Sequence, residues 1–159
     1  LCQVDCKNRD ERYILRMLWA ILCHDLGKAT CTTIDEDGRV KAIGHEYAGI
    51  EPTREILNRV TNEHNFIESI LPLVEHHLKP SMFYKAKSKD KAIRRLATKV
   101  NIEELTLVAK ADFLGRTTAE SIDGIYKAGE WMLAKAKELQ VEKTPISNLL
   151  QGRDLISLG

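Results

Sequence analysis

The chain has no apolar run approaching the ~18 residues that a membrane-spanning helix requires, and no signal-peptide pattern opens it. A membrane protein is therefore not expected, and a cytoplasmic location is. Charge of one sign is also missing: 24 basic residues face 23 acidic ones, for a net charge of +1. That balance neither demands nor forbids a nucleic-acid partner. The four cysteines, Cys2, Cys6, Cys23 and Cys31, contain no CxxC pair. A zinc site built from them is conceivable, but their spacing fits no familiar zinc module, and ordinary thiols in a reducing compartment are expected. Internal repeats are absent, and so is convincing strand alternation.

What is present is a chain of 159 residues, 43% hydrophobic and 30% charged, which suits one globular domain with a real core. Its apolar residues recur at spacings of three and four, the helical period. Asp10 is placed to cap a first helix bearing Ile14, Leu15, Leu18, Ile21 and Leu22, which Gly27 ends. The stretch IDEDGRVKAIG (34–44) reads as a polar turn or small hairpin. A second helix is expected from about His45 through Ile56, Leu57 and Val60, with Pro52 tolerable only in its first turns.

Thr61 is read as the cap of a third helix carrying Phe66, Ile70, Leu73 and Val74, kinked at Pro72. After KPSMFYKAKS a fourth carries Ile93, Leu96, Ala97 and Val100. Asn101 with Glu104 forms a capping-box pattern for a fifth, bearing Leu105, Val108 and Ala109. The sixth holds Ile125, Trp131, Met132, Leu133, Ala136 and Leu139. The expectation is one all-α domain over 1–141, followed by a tail over 142–159.

One stretch needs a chemical explanation: MLWAILCHDLGKATCTT (17–33), where His24 and Asp25 end an apolar helix. Asp25 follows Leu18, Ile21 and Leu22 at helical spacing, and Asp112 follows Leu105, Val108 and Ala109 likewise. A carboxylate on a core-facing stripe is costly unless a cation or hydrogen-bond donor meets it. Two such carboxylates beside an imidazole point to a shared divalent cation. His45, His76 and His77 lie at expected helix boundaries and add candidates, whereas His64 in TNEHN reads as surface.

His24-Asp25 followed by Gly27-Lys28, GHE at 44–46, EHH at 75–77 and Asp112 in AKADFLGR resemble, in this order, the HD superfamily of metal-dependent phosphohydrolases. More specifically, CHDLGKATCT, GHEYAG, LVEHHLKP, RRLATKV, ADFLGR and LLQGRDLISLG look like the HD region attached to bacterial CCA-adding tRNA nucleotidyltransferases and related polynucleotide adenylyltransferases. The likeness covers almost the whole chain. It implies an all-α HD-domain bundle, phosphodiesterase-like, around one or two divalent cations (Mg, Mn, Ni, Co or Zn).

By that resemblance His24, Asp25 and Asp112 would hold the main metal, together with a His from an opening of the form HTLxxVD. This chain opens LCQVD. The matching His would fall just upstream of Leu1, and the chain reads as a piece of a longer protein whose main site is one ligand short. His45 and His76 would hold a second metal or the substrate phosphate, with His77 a further candidate. Lys28 would contact a phosphate oxygen. Asp25, Lys28, His45 and His76 thus form the implied catalytic set. A metal would acidify water and clamp phosphoryl oxygens as charge develops.

Between Lys79 and Lys99 the sequence is basic, with Lys85, Lys87, Lys89, Arg94 and Arg95 the residues to contact RNA and Phe83 and Tyr84 interleaved. A nucleic-acid backbone and an unstacked base would fit that pattern, as would a solvated helix face with two anchoring aromatics. The expected function is a phosphomonoesterase or 2′,3′-cyclic phosphodiesterase, with a nucleotide or RNA end, tRNA included, as substrate. The alternative is a non-catalytic structural or RNA-positioning module of a nucleotidyltransferase. No GG(D/E)xD-type stretch for triphosphate chemistry is present, so this chain alone is not expected to add nucleotides.

Overall fold

A computed structural model describes residues 10–141, and Cys2, Cys6 and the expected tail over 142–159 lie outside them. Among the described residues the order is α1 (Glu11–Cys23), α2 (Lys28–Cys31), β1 (Thr33–Ile34), β2 (Val40–Lys41), α3 (His45–Ala48), α4 (Ile50–Val60), α5 (His64–His76), α6 (Lys79–Lys85), α7 (Asp90–Ala97), α8 (Ile102–Gly115), a 3₁₀ turn at Ala119–Ser121 and α9 (Lys127–Glu138). The fold is all-α, as the apolar spacing implies. Its only sheet among these residues is the hairpin β1–β2, antiparallel, with Thr33 opposite Lys41 and Ile34 opposite Val40.

Helix starts follow local chemistry. The Asp10 carboxylate accepts from the Tyr13 N–H at 2.7 Å, and the Asn101 side chain accepts from the Glu104 N–H at 3.1 Å. Each satisfies one of the donors a helix start leaves free. Pro52 falls in the first turn of α4, where its missing N–H loses no bond. Thr61 does not cap α5: it ends α4, and its hydroxyl accepts from Glu63 N. KPSMFYK is helical rather than loop, with Pro80 at the start of α6. Pro72 sits inside α5, which is assigned as one helix from His64 to His76.

The core places α5 against α1 and α4, α8 against α1 and α9, and α9 against α6 and α7. Met17, Ile67, Ile70, Leu73, Ile93, Ile102, Leu105 and Met132 are fully buried in it, each contributing ~1.5–3 kcal/mol by leaving water. The inward face of α1 differs from the expected one. Tyr13, Met17, Ala20 and Cys23 face the core, whereas Leu15, Leu18 and Leu22 are 48%, 42% and 67% exposed. Small Ala20 and Cys23 let α1 approach its neighbours closely, and the larger leucines are left outside. Likewise Ile125 and Leu133 are exposed, and α9 buries Met132 and Ala136 instead.

Gly27 fixes how the end of α1 meets α3. A Cβ there would stand 2.0 Å from the His45 carbonyl oxygen and 2.6 Å from Gly49 N. The chain approaches backbone to backbone, which only glycine permits. That approach brings the residues after α1 alongside His45.

Candidate metal centre

Five side chains from four places in the fold converge. His24 and Asp25 follow α1, His45 opens α3, His77 follows α5, and Asp112 lies in the last turns of α8. Asp25 does not reach the site by sharing a buried stripe with Leu18, Ile21 and Leu22, for Leu18 and Leu22 are exposed and only Ile21 packs against the core. Asp25 lies beyond the helix, in the turn over 24–27, where helical projection no longer applies. Asp112 does continue the buried stripe of Leu105, Val108 and Ala109.

The three imidazoles are held in one way. Each Nδ1 lies against the carbonyl oxygen three residues earlier: His24 on Ile21 at 2.6 Å, His45 on Ala42 at 2.6 Å and His77 on Val74 at 2.7 Å. A carbonyl oxygen only accepts, so each Nδ1 carries the hydrogen and each Nε2 is turned toward the cluster. Ile21 and Val74 lie in the last turns of α1 and α5, where carbonyls lack helical partners.

The Nε2 atoms meet one another and the carboxylates. His24 Nε2 is 3.2 Å from Asp25 Oδ2 and 3.6 Å from Asp112 Oδ1, yet buried and without a well-formed hydrogen bond. His45 Nε2 is 3.2 Å from Asp25 Oδ1 and 3.3 Å from His77 Nε2. The His77 ring packs edge-on against His24, with centroids 5.1 Å apart. Two neutral rings that both donate through Nδ1 would set their Nε2 lone pairs against each other. Only a proton or another cation between them makes that arrangement favourable.

The donor atoms fall into two triads, His24–His77–Asp112 and Asp25–His45–His77, each with its atoms within 4.8 Å of one another. Imidazole with carboxylate suits a divalent transition metal or Zn. The residues present therefore fit the cation that the sequence calls for. His77 belongs to both triads, but its one inward lone pair can bind one ion at a time. Asp25 offers an oxygen to each side.

Electrostatics agree. Burial opposes charging His24, but the Asp112 and Asp25 carboxylates outweigh it and hold the imidazolium up to about 10. Burial likewise opposes ionising Asp25, and His24 with Lys28 overcomes it, keeping that carboxyl well below its usual range. Asp112 is also held low, against its burial, by His24 and Arg116. Burial and the neighbouring His24 push His77 down.

Lys28 reaches the cluster, its Nζ 2.6 Å from Asp25 Oδ2. His76 does not. It is buried, with Nε2 3.6 Å from Glu75 Oε1, and among the described residues it joins neither triad. Successive residues at a helix end point in different directions, so one of the pair had to turn away, and His77 is the one that faces the cluster. Cys23 and Cys31 join no ligand group either, so the four-cysteine zinc site finds no support among the described residues. Arg116 closes the AKADFLGR motif but is a site neighbour to which the sequence reading gives no role. It pairs with Asp112 through Nε at 3.2 Å and through Nη2, and its position four residues after Asp112, just past the end of α8, is the available signal. Lys85, Lys87, Lys89, Arg94 and Arg95 are exposed on and between α6 and α7. Phe83 packs on the core and Tyr84 edge-on against Trp131.

The sequence profile described as HD domain matches residues 8–117. The chain is 36% identical over 110 residues to a protein named Multifunctional CCA protein from Mannheimia succiniciproducens, covering 64% of this chain and 25% of that protein. Proteins of the same name from Actinobacillus pleuropneumoniae serotypes 5b and 7 are each 36% identical over 61 residues, covering 38% of this chain and 14% of theirs. The match thus spans about a quarter or less of these relatives. No solved structure matches significantly. The chain belongs to the HD domain family, a superfamily of metal-dependent phosphohydrolases, and no described helix is long and apolar enough to cross a membrane.

Proposed function

We propose that this chain is a metal-dependent phosphohydrolase that cleaves phosphomonoesters or 2′,3′-cyclic phosphates, with RNA ends as the natural substrate class. The observation that carries the reading is the set of three inward-turned imidazole nitrogens placed between two ionised carboxylates. A structural cluster has no need for Nε2 atoms aimed at one another, whereas a cation gives each of them a partner. His24, His77 and Asp112 would hold one cation. Asp25 and His45 would complete a second position, for another cation or for the substrate phosphate. When bound, a divalent cation would polarise a phosphoryl oxygen and make water a usable nucleophile near neutral pH.

The remaining work falls to the protein's own groups. The Nδ1–carbonyl bonds fix ring orientation and keep the reactive face of each imidazole inward. Lys28, about half exposed at the rim, would meet a phosphate oxygen. RNA is supported by two features: the name of the relatives and the exposed Lys85, Lys87, Lys89, Arg94 and Arg95. Because Phe83 and Tyr84 are engaged in packing, that face would bind RNA through its phosphates rather than by stacking bases.

The test is metal content by mass spectrometry alongside hydrolysis of p-nitrophenyl phosphate and a 2′,3′-cyclic nucleotide, for the wild type and Asp112→Ala. Metal binding and hydrolysis abolished together in Asp112→Ala are the expected result. Metal bound with no phosphoester cleaved across Mg, Mn, Ni, Co and Zn would favour the non-catalytic, RNA-positioning role instead.

A further inference from the structure

Both carboxylates of the cluster are matched by a cation one turn further along their own segment. Lys28 Nζ lies 2.6 Å from Asp25 Oδ2, and Arg116 spans Asp112 with Nε on Oδ1 at 3.2 Å and Nη2 on Oδ2. The carboxylates are 33% and 13% exposed, whereas the Lys28 and Arg116 side chains are 48% and 51% exposed. The two cations therefore stand at the mouth of the site, above the acids.

Arg116 is also held in place by its backbone. The Ser121 hydroxyl lies 2.5 Å from the Arg116 carbonyl oxygen, and Thr118 and Ser121 cap each other around the intervening turn. The residue is thus anchored at its root, and its guanidinium, half exposed, rests on Asp112. A guanidinium has five N–H donors in a planar fork, and Asp112 engages two of them. Three remain, in the geometry that suits two oxygens of one phosphate.

Asp112 cannot keep both Arg116 bonds at full strength if it also serves a cation. The oxygen nearest His24 Nε2 is Oδ1, at 3.6 Å, and it holds the longer of the two bonds to Arg116. Engaging Oδ1 in the triad would loosen the Nε bond and leave the one through Nη2 as a pivot.

Building on the phosphohydrolase reading, we propose that Arg116 is a substrate-binding residue that grips the non-reacting oxygens of a phosphoryl group, with Lys28 as the second cation. Two cations at the mouth favour a dianionic terminal phosphomonoester over a monoanionic cyclic or internal diester. Arg116 thereby sets the substrate class.

The experiment titrates inorganic phosphate into the full chain in saturating Mn²⁺ by calorimetry, after Mn²⁺ affinity has been measured for each protein. Arg116→Ala should keep Mn²⁺ affinity within a few-fold and weaken phosphate binding by about 10- to 100-fold, the loss of charge-assisted hydrogen bonds. Arg116→Lys, which restores charge without the fork, should recover only part of it. The ratio of kcat/KM for a 3′-phosphomonoester to that for a 2′,3′-cyclic phosphate should fall in Arg116→Ala, mainly through KM for the monoester. Weakened Mn²⁺ binding with phosphate affinity unchanged would reduce Arg116 to an orienter of Asp112 and overturn the inference alone. A wild type that binds no divalent cation would overturn the phosphohydrolase reading, and the inference with it.

Discussion

Replacing Gly27 by alanine tests how the site is assembled. The added Cβ would meet the His45 carbonyl oxygen at 2.0 Å, where ordinary contact begins at 3.4 Å. About 1.4 Å must be found by moving backbone, because both near neighbours, His45 O and Gly49 N, are main-chain atoms. Overpacking of this kind destabilises by about 1–3 kcal/mol, and rigid neighbours place Gly27→Ala at the upper end. In a chain of this length that lowers the melting temperature by roughly 6–12 °C. The same displacement separates Asp25 from His45, now 3.2 Å apart. Metal affinity should therefore fall further than a global loss of stability explains, since misplacement by ~1 Å can cost about a hundred-fold at a site. Gly49→Ala is the internal control. Its Cβ would sit 3.1 Å from His45 O and 3.2 Å from Gly27 N, a strain of ~1 kcal/mol or less that small shifts relieve. Differential scanning fluorimetry and calorimetric metal titration read both quantities. If Gly27→Ala melts within about 2 °C of wild type, or no earlier than Gly49→Ala, the close approach is not what joins α1 to α3.

The two adjacent histidines should separate cleanly. His77→Ala should weaken metal binding by at least about ten-fold, whereas His76→Leu should leave it unchanged and melt no earlier, because it removes a buried ring whose Nδ1 has no hydrogen-bond partner. Metal affinity should climb with pH. A cation must displace the proton that His24 holds up to about 10, so below that pH the apparent Kd should improve by up to about ten-fold per unit for each proton released, as calorimetry in buffers of different ionisation enthalpy would show. In chelator the sign for stability is opposite. The folded pKa of His24 is raised, so its contribution is present below the unfolded value of 6.5 and is lost as pH rises toward about 10, which melting curves between pH 6 and 10 would record. Charge reversal at exposed Arg94 and Arg95 should weaken tRNA binding and reduce the slope of log affinity against log salt by about 0.7–0.9 for each phosphate no longer neutralised; an unchanged slope would make α7 a solvated face only.

The helices are legible in the sequence wherever apolar period and cap agree, as at Asp10 and Asn101, whose side chains both accept the expected N–H. Hydrophobicity misleads where it is equated with burial. The leucines of α1 outrank Ala20 and Cys23 on any hydropathy scale, yet close packing selects the small residues for the core. Of the stripe that points to Asp25, Leu18 and Leu22 face solvent and only Ile21 packs inward. The place of Asp25 in the cluster comes from the turn after α1 and the glycine approach behind it, neither of which a period expresses. The choice between His76 and His77 turns on the residue at which α5 ends, and boundaries are where sequence patterns are weakest. Arg116 is hard to single out because a cation four residues after an acid ordinarily marks a solvated helix face.

Main-chain geometry does much of what side chains outside the cluster might have done. Ile21, Ala42 and Val74 orient the imidazoles through carbonyls that any residue would supply, so the sequence bears no mark of that role. The charges, by contrast, are specific. Once a cation has displaced the His24 proton, Asp25 and Asp112 are balanced by Lys28 and Arg116, and the protein groups of the cluster carry no net charge. One divalent cation would leave the cluster positive by two, which a phosphate dianion restores to zero. Each ligand therefore lowers the cost of binding the other. A site built this way holds a cation and a phosphate together more firmly than either alone, and a substrate phosphate is drawn to the metal-loaded protein rather than to the bare fold.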